Sequence, residues 1–157
     1  WRQVGSAQVE GVVNERPGSW EVRGPRVLAR VYGAQEAGLR RNIAALHPDM
    51  ARWMVLEGYG KVLGRPGLPL REREILVAVL LAVQDAPRQL HSHLRGALRA
   101  GASPHAVDEA LAEAAPWLRD PELRHRVVGR WQEVWERWNR EESSSPDSNE
   151  PEADDVH

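Results

Sequence analysis

The sequence predicts an all-α fold, and three observations carry the prediction. From about Pro25 onward apolar residues recur at helical spacing. Pro stands repeatedly where a helix should begin, once directly behind a capping Ser. The stretch "LREREILVAVLLAVQD" starts charged and becomes apolar on all sides, the mark of a central helix in a helical core. At 157 residues the chain suits one compact domain with appendages.

Residues 1–26 hold Gly5, Gly11, Pro17, Gly18, Gly24 and Pro25 among short valine-rich pieces. Such interruption predicts an irregular arm, with room for a hairpin, lying on the domain or on a neighbouring subunit. A helical domain is expected over 27–140. "RVLARVYG" leads into "QEAGLRRNIAAL", where Leu39, Ile43 and Leu46 share a face. In the next helix Pro48 suits the first position and Asp49 the positive end, and Met50, Trp53, Met54 and Tyr59 are expected to supply apolar contacts before Gly64. "RPGLP" breaks the pattern. Pro87 then separates the apolar helix from "QLHSHLRGALRAG", predicting two helices in antiparallel contact. After Gly101, Ser103 is the expected N-cap with Pro104 at the first helical position. Pro121 opens a last helix whose stripe of Leu123, Val127, Trp131, Trp135 and Trp138 should dock on the bundle or on a partner subunit. Residues 141–157 are polar, acidic and rich in Ser and Pro, and read as a disordered tail.

Composition removes several functions. With no cysteine there is no disulfide, thiolate ligand, thiol nucleophile or dithiol redox centre, which suits a reducing compartment. The longest apolar run, Ile75 to Val83, falls far short of the roughly 20 residues that span a bilayer. The chain starts at Trp1 with neither an initiating Met nor a basic-then-apolar leader, so a removed leader stays open and the cytoplasm is the expected compartment. Seven of the 23 acids lie in 141–157, so 16 acids face 21 bases in residues 1–140, a net +5 against −2 overall. That is modest, and the arginines are scattered without interleaved aromatics, so nucleic-acid binding is not expected.

Chemistry concentrates at "QLHSHLRGALRAG". Residues two apart on a helix point about 200° from each other, so His91 and His93 cannot grip one metal together. No other histidine spacing suggests a metal site. His93 shares the apolar stripe of Leu90, Leu94 and Ala97, while His91 falls on the flank with Arg95. A half-buried imidazole needs a polar partner, and hairpin geometry offers Glu74. Such a pair is either a poised proton donor and acceptor or an ion pair that satisfies the core.

The stretch "LPLREREILVAVLLAVQDAPRQLHSHLRGALRAGASPHAVDEAL" resembles the carboxymuconolactone decarboxylase family, within the AhpD-like superfamily. The resemblance covers about residues 35–120 and rests on the "RERE" helix start, the His-x3-Ala-x3-Gly helix and the Gly-Ala-Ser-Pro restart. It implies an AhpD-like helical bundle that assembles as trimers or hexamers, with a pocket between helices and often between subunits. The family's peroxidase branch carries Cys-x2-Cys-x3-His with an upstream glutamate. Here Glu74 and His93 fill the acid and histidine positions, but Ala86 and Gln89 stand where the cysteines would be. The resemblance therefore cannot carry peroxidase activity here and is compatible with the decarboxylase branch, which does its chemistry without thiols; no cofactor is expected.

Two functions follow. One is a lyase acting on a small carboxylated lactone or related acid, with His93 as general acid or base, Glu74 orienting it, and Arg73, Arg95 or Arg99 holding a carboxylate. The other is a non-catalytic assembly or binding subunit, which would use the N-terminal arm or the Trp131, Trp135 and Trp138 helix to meet a protein partner.

Overall fold

The computed structural model describes residues 16–144, and all of its regular structure is helical. In chain order the helices are α1 (Pro17–Tyr32), α2 (Glu36–Leu46), α3 (Pro48–Trp53), α4 (Leu70–Val83), α5 (Pro87–Arg99), α6 (Pro104–Ala114) and α7 (Pro121–Ser143). α3 passes without a break into a π-helical segment, Met54–Leu63. Among the described residues no helix is long and apolar enough to cross a membrane.

The punctuation read from the sequence sets the helix starts. Ser103 accepts from the Ala106 amide and Asp120 from the Glu122 amide, each ahead of a Pro at the first helical position. His47 caps α3, its Nδ1 accepting from the Asp49 amide at 3.2 Å. α4 and α5 form a helical hairpin whose corner holds Asp85 in the left-handed region, at φ 52°.

Two apolar clusters make up the core. The larger joins Ala78 and Ala82 of α4 to Leu90, Leu94 and Ala97 of α5, Val107 and Leu111 of α6, and Val127, Trp131 and Val134 of α7. The smaller joins Leu28 and Val31 of α1 to Val55, Tyr59 and Leu63 of the π-helical segment. The tryptophan stripe docks on the chain's own bundle. Trp131 is buried and donates to Asp108 at 2.5 Å, and Trp135 and Trp138 pack half-buried against the larger cluster.

Four expectations need correction. Residues 17–26 are not an irregular arm but the first half of α1, and Pro25 lies inside that helix. Of the glycines that read as breakers, Gly24 serves close packing, which overrides its poor helix propensity. Gly24 lies against the Val55 carbonyl, and a Cβ on Gly60 would stand 2.6 Å from the Trp20 carbonyl oxygen. Residues 1–15 of the expected arm lie outside the described residues. α7 also runs to Ser143, so Glu141 and Glu142 of the expected tail are helical, and residues 145–157 lie outside the description.

Of the apolar contacts expected in α3, Met54 and Tyr59 pack, whereas Met50 and Trp53 are exposed. The switch to wider π turns at Met54 resets which residues face α1. Finally, α4 is not buried all round. It turns Glu74, Ala78 and Ala82 inward and leaves Leu76, Leu80 and Val83 exposed, because it lies at the edge of this bundle.

Candidate functional site

The seam between the two clusters carries the polar chemistry. Glu74 projects inward one turn into α4 and is 0% exposed, the sole charged residue buried that deeply among the described residues. His93 lies on the facing side of α5, and its Nδ1 is 2.8 Å from Glu74 Oε2. The hairpin turn brings these residues together across 19 positions of sequence. Gly96 makes the contact possible, since a Cβ there would stand 2.5 Å from Glu74 Oε2 and 2.7 Å from Val31 Cγ1.

The short contact fixes the imidazole by a physical argument. A carboxylate only accepts, so Nδ1 carries the proton and donates it, and Nε2 is the nitrogen left for other chemistry. The His93 side chain is 12% exposed, so the pair is fully buried at the Glu74 end and slightly open at the histidine. Glu74 Oε1 is buried without a hydrogen-bond partner among the described groups.

The chain's two tyrosines complete the cluster, and sequence reasoning missed their role. Tyr32, the last residue of α1, sets its ring edge-on to His93 with centroids 6.5 Å apart. Tyr59 donates its hydroxyl to the Tyr32 oxygen at 3.1 Å, and the two rings meet edge-on at 6.0 Å. Burial raises the pKa of both phenols, and the Glu74 charge raises each further, so both stay protonated. The available signal was only their rarity, because an aromatic on a helical stripe reads as packing. Gly96 was equally silent, since it lies between the positions that make up the family pattern.

The three arginines expected to hold a carboxylate are engaged within the chain. Arg73 donates to the carbonyls of Val62, Arg65, Pro66 and Leu68, which folds the segment between the π-helix and α4 around its guanidinium. Arg95 makes a two-pronged ion pair with Glu141 of α7, and Arg137 joins it, drawing the Glu141 carboxyl down to about 2. Arg99 donates to the Val31 carbonyl at 3.0 Å and is part-buried, which lowers its pKa. Of the three it alone bonds to α1, one residue before Tyr32.

His91 lies on the opposite flank of α5 from His93. Its Nδ1 is buried without a hydrogen-bond partner among the described residues, and desolvation lowers its pKa, favouring the neutral ring. An apolar groove of about 270 Å³ lies toward the hairpin corner and is lined by Leu81, Leu90 and Val127, with Arg126 and Arg130 at its rim. It does not include Glu74 or His93. Among the described residues no cluster of His, Asp and Glu is arranged to hold a metal ion.

The family model described as "Carboxymuconolactone decarboxylase family" matches residues 48–140, which is more than half of the chain and takes in α3 to α7. No curated protein matches the chain.

Proposed function

As the chain belongs to the carboxymuconolactone decarboxylase family, we propose that it is a cofactor-independent lyase acting on a small carboxylated lactone or related acid. The observation that carries this reading is the buried 2.8 Å contact between Glu74 and His93, which leaves Nε2 outside that bond on a side chain that is 12% exposed. In the proposed reaction the bond between the carboxylate carbon and the ring system breaks and carbon dioxide leaves. The electron pair stays on carbon as an enolate, which then takes the Nε2 proton of the His93 imidazolium, and the imidazole regains that proton from water. Glu74 holds the ring in place and offsets the imidazolium charge. A thiol peroxidase is not proposed, since the chain contains no cysteine.

For the substrate carboxylate, Arg99 is the first candidate, ahead of Arg73 and Arg95. It shares α5 with His93 and bonds to the residue next to Tyr32. A homo-oligomer, trimer or hexamer, belongs to the same proposal. The exposed stripe of Leu76, Leu80 and Val83 lies on α4, the helix that supplies Glu74, and a second copy packed there would enclose the site. That stripe equally supports the second reading, a non-catalytic assembly subunit.

Decarboxylation of 4-carboxymuconolactone by wild type and His93→Ala separates the two. Carbon dioxide release and lactone absorbance give turnover, with oligomer size followed in parallel. Turnover lost in a variant that still assembles supports the lyase. An intact oligomer with no turnover in either protein sinks the lyase on this substrate and favours assembly.

A further inference from the structure

We propose that Tyr32 is a positioning residue for the Glu74 and His93 pair, its hydroxyl proton serving the second oxygen of Glu74. The inference deepens the proposed lyase reading and rests on it only for its kinetic consequence.

Donors and acceptors in the seam do not balance as they stand. Glu74 is 0% exposed; Oε2 takes the His93 proton, while Oε1 is buried and bare. A buried acceptor left unpaired costs about 1–3 kcal/mol, and more when charged. A phenol has one proton to give. Tyr59 gives its proton to Tyr32, so the Tyr32 oxygen is the acceptor of that bond and its own proton is left over. One spare donor and one spare acceptor therefore share a single buried cluster.

The surrounding groups leave few other partners. Tyr32 faces the pair from α1, Tyr59 from the π-helical segment and Glu74 from α4. The nearby cations point elsewhere, Arg99 to the Val31 carbonyl and Arg30 to the Ala100 carbonyl. The Glu74 charge acts on both phenols, which puts the spare proton within its field. No direct hydrogen bond joins the two groups in this structure, so the proposed link runs through a reoriented Tyr32 hydroxyl or one bridging water.

The consequence is electrostatic. A hydroxyl donated to a carboxylate favours its charged form and weakens its hold on other protons. With Tyr32 in place, Glu74 therefore holds the imidazolium of His93 less tightly than a bare carboxylate would. Loss of the hydroxyl raises the proton affinity of His93.

Imidazole titration by NMR of the full chain tests this without any substrate. In Tyr32→Phe the His93 midpoint should rise relative to wild type, and in Tyr59→Phe, which removes only the donation to Tyr32, by less in the same direction. An unchanged midpoint in folded Tyr32→Phe overturns the proposal. If that variant does not fold, the wild type decides: a slowly exchanging Tyr32 hydroxyl proton supports the link, and a rapidly exchanging one overturns it. If the chain decarboxylates 4-carboxymuconolactone, the acid limb of its kcat profile should move with the same midpoint. A shifted midpoint in a chain without turnover upholds the tyrosine link while the lyase reading fails.

Discussion

At the scale of single residues, the site depends on one missing methyl group. Gly96 leaves the volume that the Glu74 carboxylate fills. Gly96→Ala should displace that carboxylate or spread α4 from α5, costing about 1–3 kcal/mol as overpacking. Urea unfolding measures the loss, and an unchanged midpoint would show that Glu74 has room to retreat. Glu74→Ala is the complementary case, because it leaves a half-buried imidazole without its carboxylate. Breaking a buried pair from one side costs about 3–5 kcal/mol, and the same unfolding experiment reads it. A loss under about 1 kcal/mol, the range of exposed pairs, would mean that the pair contributes little to the core.

At the scale of elements, α7 is held to α5 by apolar contact and by one charged clamp. Trp131 is 5% exposed, so Trp131→Ala should cost about 3–5 kcal/mol through the cavity it leaves. The clamp is Glu141 between Arg95 and Arg137, and it responds to pH. Its folded pKa is depressed to about 2 from an ordinary 4.5, so its stabilisation is fully present above pH 4.5 and is lost as pH falls toward 2. Glu141 lies at the surface, where solvent screens ion pairs, so the contribution is on the order of 1 kcal/mol or less. The stability of Glu141→Gln should therefore fall less steeply than that of wild type between pH 4.5 and 2. Parallel curves would remove the clamp from the account.

At the scale of the whole molecule, the unsatisfied feature is the outer face of α4. Leu76 and Leu80 are 53% and 59% exposed, on a helix whose other face forms the core. Under the proposed assembly, Leu76→Lys with Leu80→Lys should shift sedimentation toward the monomer and leave the helical circular dichroism intact, since neither side chain is buried within the chain. An unchanged oligomer would move the interface away from α4. The fold itself is two clusters with a polar seam, and the seam sits where α1 and the π-helical segment meet the α4 and α5 hairpin.

Local chemistry was legible in the sequence. Helix starts at Pro48, Pro87, Pro104 and Pro121, the α4 and α5 hairpin and the meeting of Glu74 with His93 follow from capping, proline geometry and helical period, which act over a few residues. What only the tertiary structure decided acts between distant segments. Gly24 reads as a break because its poor propensity is local, whereas the approach of α1 to the π-helical segment that needs it is not. Tyr32 and Tyr59 lie 27 positions apart, and no local pattern marks two phenols that meet only when α1 folds back onto that segment. The apolar run of α4 gave its hydrophobicity but not its neighbours, because periodicity records which faces avoid water and cannot say what covers them.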